Sequence, residues 1–298
     1  MKTLLMVGLL PLLGSLPDGP VKQQEPRSAA EATPAPKRKA PSPEQAREAI
    51  QAELMRAVFG RNYHARRGVA VAELPNPEDR EWQSRYVIEA EGYTVLPTGE
   101  TLLASSAVEA DGEDNPMSYH ATTGLLNLHV LRKQNGRWRV LKRHENVAAY
   151  GSSGNLGLVR WEKLGKNKTA LSIEHGGLWQ GYTITGLSLY DVSGGDVRPL
   201  TKEAINTHSS NRAACLPTSS CWEVTGTWTF VAGPPHAEYD DLLIRFSGEE
   251  SKPVRDYPEG TDAQEVERKA RPIQGEARYR FDGTEYKLIE GSNLVPDI

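Results

Sequence analysis

The 298-residue sequence has little cysteine and no strong excess of charge of either sign. Its formal net charge is −4, so it lacks the global positive field with which nucleic-acid-binding proteins attract phosphates. The one compact basic run, Lys37-Arg38-Lys39, lies among prolines, where a solvated linker is expected rather than a fixed phosphate-binding face. We therefore expect no nucleic-acid partner.

The sequence also lacks the residue spacings that hold common cofactors and metals. It contains neither the glycine fingerprint of dinucleotide-binding proteins nor the P-loop that binds phosphates. None of the seven histidines belongs to a His-Glu-x-x-His or His-x-His motif. The two cysteines, Cys215 and Cys221, cannot alone complete a structural zinc site, which needs four ligands. We expect no cofactor and no metal.

Long hydrophobic runs are missing as well. The N-terminal apolar stretch from Leu4 to Leu13 is too short to span a bilayer, so we expect no transmembrane helix. It follows Lys2 and precedes small and turn-forming residues, an order typical of a secretory signal peptide. We assign residues 1–16 to a signal peptide and expect a periplasmic or secreted protein, with a buried N-terminal segment as the alternative.

The two cysteines agree with export. Cys215 and Cys221 enclose only LPTSS, and in an oxidising compartment such a pair is expected to form a local disulfide. A ring of this size stabilises a protein by roughly 2 kcal/mol in the loop-entropy treatment. We therefore expect the disulfide to fix one loop rather than to hold the fold together.

Prolines and capping signals divide the N-terminal part of the chain. Residues 17–42 are rich in proline, alanine and charge and read as an extended linker. Ser42, Pro43 and Gln45 form the start signal of a helix, and Gly60 can end it. We therefore predict an amphipathic helix at 43–59, at the start of a single domain covering 43–298.

From about Tyr86 onward the hydrophobic period changes from helical to two, which is typical of β-strands. Glycine turns separate the strand-like runs, at LPTG (96–99), QNGR (134–137), SGGD (193–196) and FDGT (281–284). The predicted fold class is mainly β, an antiparallel meander of hairpins with one N-terminal helix. The strand order is open between a propeller-like arrangement and a two-sheet sandwich.

Four segments carry a resemblance to known proteins: GLLNLHVLRKQNGRWRV, RHENVAAYGSSGNLGLVRW, HGGLWQGYTITGLSLYDV and YRFDGTEYKLIEG. Together they resemble a group of uncharacterised exported bacterial proteins that are rich in β-structure. The resemblance implies export and a β-rich fold. It implies no activity.

The segment SIEHGGLWQGY, residues 172–182, combines groups that occur in catalytic clefts with glycines that occur in turns. Apolar residues alternate on both sides of it, so we predict a strand break at Gly176-Gly177, with Gly181 as a bulge. Trp179 then either caps the edge of the core or forms an exposed anchor. His129 alternates with apolar neighbours, so its side chain is expected to face outward.

A catalytic role would need an acid–base pair that converges in space, because every recognisable catalytic spacing fails. The residues we would select for such a site are His144, Glu145, Glu174, His175 and His208. This alternative describes a metal-independent hydrolase that acts on an envelope polymer.

A binding role needs a rigid β scaffold and a few loop anchors, and the sequence has both. The candidate anchors are the aromatic residues Trp179, Tyr182 and Trp222, which lie in or beside loops. A site is expected between His144 and Tyr182, a region that includes the glycine-rich loop at 149–157. We favour an extracytoplasmic binding or inhibitor/immunity-type protein of the bacterial envelope, whose ligand is a protein or an envelope polymer. The oligomeric state is left open.

Overall fold

A computed structural model describes residues 41–79, 81–258 and 261–298. The predicted signal peptide, and the predicted linker except its last two residues, lie outside these ranges. Helix α1 spans Pro43–Phe59, as predicted. Its capping box is formed, since Gln45 N donates to Ser42 Oγ at 3.2 Å and Ser42 N donates to Gln45 Oε1 at 2.9 Å. Within the described ranges, no helix has the length and apolarity needed to cross a bilayer.

The fold is mainly β, as predicted, and its strands form two antiparallel sheets. The first sheet contains, in spatial order, β1 Tyr63–His64, β2 Val69–Pro75, β3 Gln83–Val95, β4 Thr101–Glu109, β5 Gly124–Gln134 and β6 Arg137–Tyr150. The second contains β7 Leu158–Lys163, β8 Thr169–Trp179, β9 Tyr182–Asp191, β10 Arg198–Pro199, β11 Ile205–Ser210, β12 Cys221–Val231, β13 Asp241–Pro253, β14 Arg268–Phe281 and β15 Tyr286–Gly291. Adjacent strands of the second sheet follow chain order, except that β10 pairs only with β9. All four predicted glycine turns connect successive strands.

The central strands of the first sheet are buried on both of their faces. Helix α1 covers one face through a cluster that includes Leu54, Met55 and Val58. The opposite face packs on the second sheet, where residues such as Leu128 of β5 share a cluster with Leu171 of β8. The two-sheet alternative is therefore the arrangement that the protein adopts, and the central strands β4 and β5 are buried along most of their length.

Burial on both faces overturns the prediction for His129. Its side chain is 0% exposed and lies beneath α1, with its ring centroid 5.5 Å from that of Phe59. The prediction assumed a sheet with one solvated face, for which polar residues between apolar ones point to water. Both faces of β5 are buried, so neither set of its alternating side chains points to solvent.

The second sheet is strongly curved. Tyr286 N, on the last strand, donates to Leu200 O at 2.8 Å, although β11, β12, β13 and β14 lie between β15 and the β9–β10 pair. Inside the curve lies a second core that contains Leu187, Ile244 and Phe246. This curved sheet holds the loops at its ends on a rigid frame.

Candidate functional site

Residues 172–182 form one hairpin, but its turn is not where the glycine pair predicts it. Strand β8 continues through Gly176 and Gly177, and the turn consists of Gln180 and Gly181, at φ 47° and 86°. Two positive φ values in a two-residue loop are typical of a type I′ turn. The predicted strand break at Gly176-Gly177 and the predicted bulge at Gly181 are therefore wrong. Position 176 needs a glycine within the strand because a Cβ there would lie 1.9 Å from Ile184 O.

Trp179 lies directly before this turn and is 62% exposed, so it does not cap the core. It pairs with Tyr182 across the turn, and residues directly opposite in an antiparallel pair project from the same face. The ring of Tyr182 lies 6.1 Å from that of Trp222, centroid to centroid. Trp222 Nε1 donates to the buried Ser209 Oγ at 3.0 Å, which fixes the indole. The structure thus brings the three predicted binding aromatics into one row.

The disulfide loop supports this row from one side. Cys215 and Cys221 are bonded, as predicted. The short 3₁₀ turn Arg212–Ala214 precedes the loop and lies against the hairpin turn, since a Cβ at Gly181 would come within 2.7 Å of Ala214 N. Within the disulfide loop, the side chain of Leu216 is 63% exposed. The turn and the disulfide loop therefore form one packed unit that exposes apolar groups.

A third segment, residues 117–123, lies on the other side of the hairpin. His120 Nε2 donates to Leu178 O at 2.6 Å, which attaches this segment to the end of β8. Tyr119 is 71% exposed and Leu178 is 51% exposed. We call the tip of the β8–β9 hairpin, together with the two segments that contact it, the hairpin end; it carries Tyr119, Leu178, Trp179, Tyr182, Leu216 and Trp222, and the side chains of Leu178 and Trp179 project from opposite faces of β8. Large exposed apolar groups drawn together on rigid loops mark an interaction surface.

Sequence reasoning missed half of the hairpin end. Tyr119 and Leu178 are distant in the sequence, and the hydrogen bond that joins their segments, from His120 Nε2 to Leu178 O, has no local sequence signal. Leu216 had a usable signal, because it is the one large apolar residue in a five-residue loop between two cysteines.

The five residues considered for catalysis do not form one acid–base site. His144 Nε2 donates to Gly195 O at 2.9 Å, and Glu145 lies 3.6 Å from Arg143. Glu174 pairs with Arg160, and His208 Nδ1 lies 3.0 Å from Thr225 Oγ1. Each of these side chains therefore contacts a different partner.

His175 has the most enclosed environment of the five. Its Nε2 lies 2.9 Å from Ser188 Oγ, and its ring stacks on Tyr150 at a centroid distance of 4.1 Å. Burial lowers the pKa of His175 to about 4, so the ring is neutral at pH 7. Ser188 is only 3% exposed, so its hydroxyl is not reachable as a nucleophile. Glu174 precedes His175 in β8 and therefore points to the opposite face.

A metal site is not apparent either. No three His, Cys, Asp or Glu side chains within residues 41–79, 81–258 and 261–298 are grouped closely enough to hold an ion.

The glycine-rich loop at 149–157 packs against the protein itself. A Cβ at Gly151 would lie 2.0 Å from Asn155 O, and a Cβ at Gly157 would lie 2.2 Å from Glu174 O. These glycines allow close contact between segments of the chain's own backbone. The backbone at these two glycines is therefore covered by the chain and not open to a ligand.

The chain matches no protein-family model, no curated protein and no solved structure. The resemblance to exported β-rich proteins, drawn from four segments of the sequence, therefore stays an expectation.

Proposed function

We propose that this protein is an extracytoplasmic binding protein of the bacterial envelope, which recognises a partner protein through the hairpin end. The observation that carries the proposal is the exposure of Leu178 and Trp179 at the end of β8, and of Tyr119 and Leu216 on two segments that adjoin this hairpin. In water such a surface is unfavourable, and a partner that covers it recovers the free energy of apolar burial. An inhibitor or immunity-type role is one concrete form of this function.

The composition of the hairpin end favours a protein over a polysaccharide. Sugar-binding surfaces rely on aromatic faces, and here Trp179 and Tyr119 are joined by the aliphatic side chains of Leu178 and Leu216. Mixed aromatic and aliphatic anchors are the type that fill apolar pockets of a folded partner.

The anchors are also held in place before binding. The type I′ turn fixes Trp179 and Tyr182, and the disulfide fixes the loop of Leu216. A pre-organised loop loses less conformational entropy on association than a flexible loop does. This rigidity suits an inhibitor-like insertion into a cleft of the partner.

Two features support an oxidising location. Residues 1–16 have the order of a signal peptide, and Cys215 and Cys221 lie at disulfide distance in the fold. Fractionation of a bacterial expression host, with mass spectrometry of the mature N-terminus, tests this part of the proposal. We expect a periplasmic or secreted product without the leader. A cytosolic protein that keeps Met1 and two free thiols would contradict it.

The binding proposal is tested by capture from an envelope extract followed by affinity measurement with the purified partner. We expect Trp179→Ala to weaken binding by about 2 kcal/mol, roughly thirtyfold, because exposed tryptophans are frequent hot spots. Leu216→Ser should weaken the same interaction. Val95→Ala is the matched control, because Val95 is 63% exposed but lies at the other end of β3 from Tyr86, whose partner Glu109 accepts a hydrogen bond from Met117 N.

Three outcomes separate the alternatives. Loss of capture with Trp179→Ala and Leu216→Ser, but not with Val95→Ala, supports a protein partner at the hairpin end. Equal capture by all variants would show that the partner binds elsewhere. Sedimentation with protein-free envelope polysaccharide, abolished by the same two variants, would replace the partner protein by a polymer.

A further inference from the structure

Strand β12 has one edge that is uncovered along about half of its length. Strand β11 pairs with β12 only at the residues from Glu223 to Thr225. Strand β12 continues to Val231, and its other edge is paired with β13 over the whole strand. Among the strands that the structure describes, none pairs with residues 226–231 on the β11 side. We call these residues the open edge.

The backbone groups that point to the open edge belong to alternate residues. Trp222 N donates to Asn211 Oδ1 at 2.7 Å, and Asn211 N donates to Trp222 O at 3.2 Å, so both backbone groups of Trp222 point to the β11 side. The register between β12 and β13 has no shift, and alternate residues of an antiparallel strand point their N–H and C=O groups to the same side. Trp228 and Phe230 therefore direct their backbone groups at the open edge. The residues between them direct theirs at β13.

The sequence of the open edge does not protect it against strand pairing. Residues 225–231 read TGTWTFV, which contains neither charge nor proline and is rich in residues that favour strands. Edge strands are commonly protected by charged side chains, proline or bulges. Strand β7, at one end of the same sheet, has such charges at Arg160, Glu162 and Lys163. An unprotected edge is the type to which a partner can add a strand.

The open edge borders a groove of about 450 Å³. Residues 225–230 of β12 form one wall, and Arg160 and Glu162 of β7 with Glu174 of β8 form the other. The volume is within the range of ligand sites. None of these residues belongs to the hairpin end, so the groove does not depend on the proposed function.

The groove contains one carboxylate without a cationic partner. Arg160 forms an ion pair with Glu174, whereas Glu162 forms none within residues 41–79, 81–258 and 261–298. Burial raises the pKa of Glu162, against the opposing effect of Arg160. A cationic group brought into the groove compensates the hydration that burial removes from this carboxylate.

We propose that the groove binds an extended polypeptide segment, which adds a strand to the open edge of β12 and places a lysine or arginine side chain beside Glu162. Backbone hydrogen bonds to Trp228 and Phe230 supply affinity, and the contact with Glu162 supplies selectivity. One ligand then satisfies both the unpaired backbone groups of the edge and the unpaired carboxylate of the opposite wall.

The proposal is tested with the full chain and three probes: the blocked peptide Ac-TVKVTV-NH2, its glutamate analogue Ac-TVEVTV-NH2, and N-acetyl-lysine amide. Affinities are measured by NMR titration. We expect saturable binding of the lysine peptide and about fivefold weaker binding of the glutamate peptide, because the latter places a second negative charge near Glu162. N-acetyl-lysine amide should bind more weakly than the lysine peptide, since it cannot pair along the edge.

Amide hydrogen exchange reports strand pairing directly. Exchange of the Trp228 and Phe230 amides should slow about fivefold or more when the lysine peptide is bound, because these N–H groups then donate to the added strand. The amides of Thr227 and Thr229 are the internal control. They point to β13, so their exchange should be slow with and without peptide.

Glu162→Gln should weaken binding of the lysine peptide about fivefold and remove its preference over the glutamate peptide. Glu290→Gln is the matched control, because Glu290 is an exposed carboxylate on β15, at the opposite end of the same sheet from β7. It should leave both affinities unchanged.

Preferential binding of the lysine peptide, slowed exchange at Trp228 and Phe230, and a loss confined to Glu162→Gln together support the proposal. Absence of saturable binding by the lysine peptide would overturn it. Binding without slowed exchange at these two amides would overturn strand addition. Equal affinity for the glutamate peptide or for N-acetyl-lysine amide, or equal effects of Glu162→Gln and Glu290→Gln, would contradict the proposal as well.

Discussion

Beneath helix α1 the protein buries polar groups, whereas at the hairpin end it exposes apolar ones. Both ring nitrogens of His129, together with Ser105 Oγ and Asn146 Oδ1, are buried and have no hydrogen-bond partner among the described residues. At the hairpin end, Trp179 and Leu216 are each more than 60% exposed. Most residues of a folded protein follow the opposite partition.

The two departures differ in where the lost free energy can be regained. An unpaired buried polar atom weakens the folded state by about 1–3 kcal/mol, and no external partner can reach the face under α1. An exposed apolar group leaves no interaction within the folded protein unmade, and its burial against a partner is favourable. The first region therefore bears on stability and the second on recognition. The following predictions test this division.

The largest effect is expected from Leu54→Ala. Leu54 is fully buried in α1 and packs with Met55 on the first sheet. Removing its isobutyl group loses apolar burial and leaves a cavity, so the free energy of unfolding should fall by about 2–5 kcal/mol. Chemical denaturation measures this change. Glu48→Ala, at an exposed position of the same helix, is the control and should change stability by less than about 0.5 kcal/mol.

His129 should make stability depend on acidity. Burial, followed by the charges of Arg143 and His144, lowers the pKa of His129 to about 3 in the folded protein, against about 6.5 in an unfolded chain. Because the unfolded state takes up the proton first, stability is complete above pH 6.5 and falls as the pH drops towards about 3. The slope approaches about 1.4 kcal/mol per pH unit for this one proton.

The variant His129→Leu should remove that slope. We expect its advantage over the unmodified protein to grow by about 2 kcal/mol over the first two pH units below 6.5, measured by urea unfolding at each pH. Ser105→Ala is the control, because it removes a buried unpaired hydroxyl from the same region without removing a titrating group. A pH slope unchanged by His129→Leu would contradict the burial of a neutral ring.

Loss of the disulfide should moderately lower both the stability of the protein and its affinity for the partner. In the loop-entropy treatment, replacing Cys215 and Cys221 by serine lowers stability by about 2 kcal/mol. The exposed Leu216 then lies on an unconstrained loop, so partner affinity should fall as well. Calorimetry of the double variant gives the first quantity, and titration with the partner gives the second. A double variant that binds normally would show that the constraint does not contribute to recognition.

How far these regions could be predicted depends on whether their determinants are local. The helix bounds at 43–59 and the four glycine turns follow from capping and turn residues within a few positions, and all were predicted. The prediction for His129 was wrong because the face of β5 that carries its side chain is covered by α1, a helix about seventy residues earlier in the chain. The turn at Gln180 was missed because glutamine at positive φ has no turn signature, whereas the preceding Gly-Gly pair has one.

The smallest stability effect is expected from Trp179→Ala, and it completes the comparison. Trp179 has no hydrogen bond from its indole among the described residues and is 62% exposed, so its truncation should change the free energy of unfolding by less than about 0.5 kcal/mol. Trp222→Ala is the matched control, because that indole donates to the buried Ser209 Oγ and its loss should lower stability by about 1–3 kcal/mol. Thermal melts of the two variants, recorded with partner affinity, separate the two roles. If Trp179→Ala melts as early as Trp222→Ala, the tryptophan supports the fold; a native melting temperature with weakened binding assigns it to the partner.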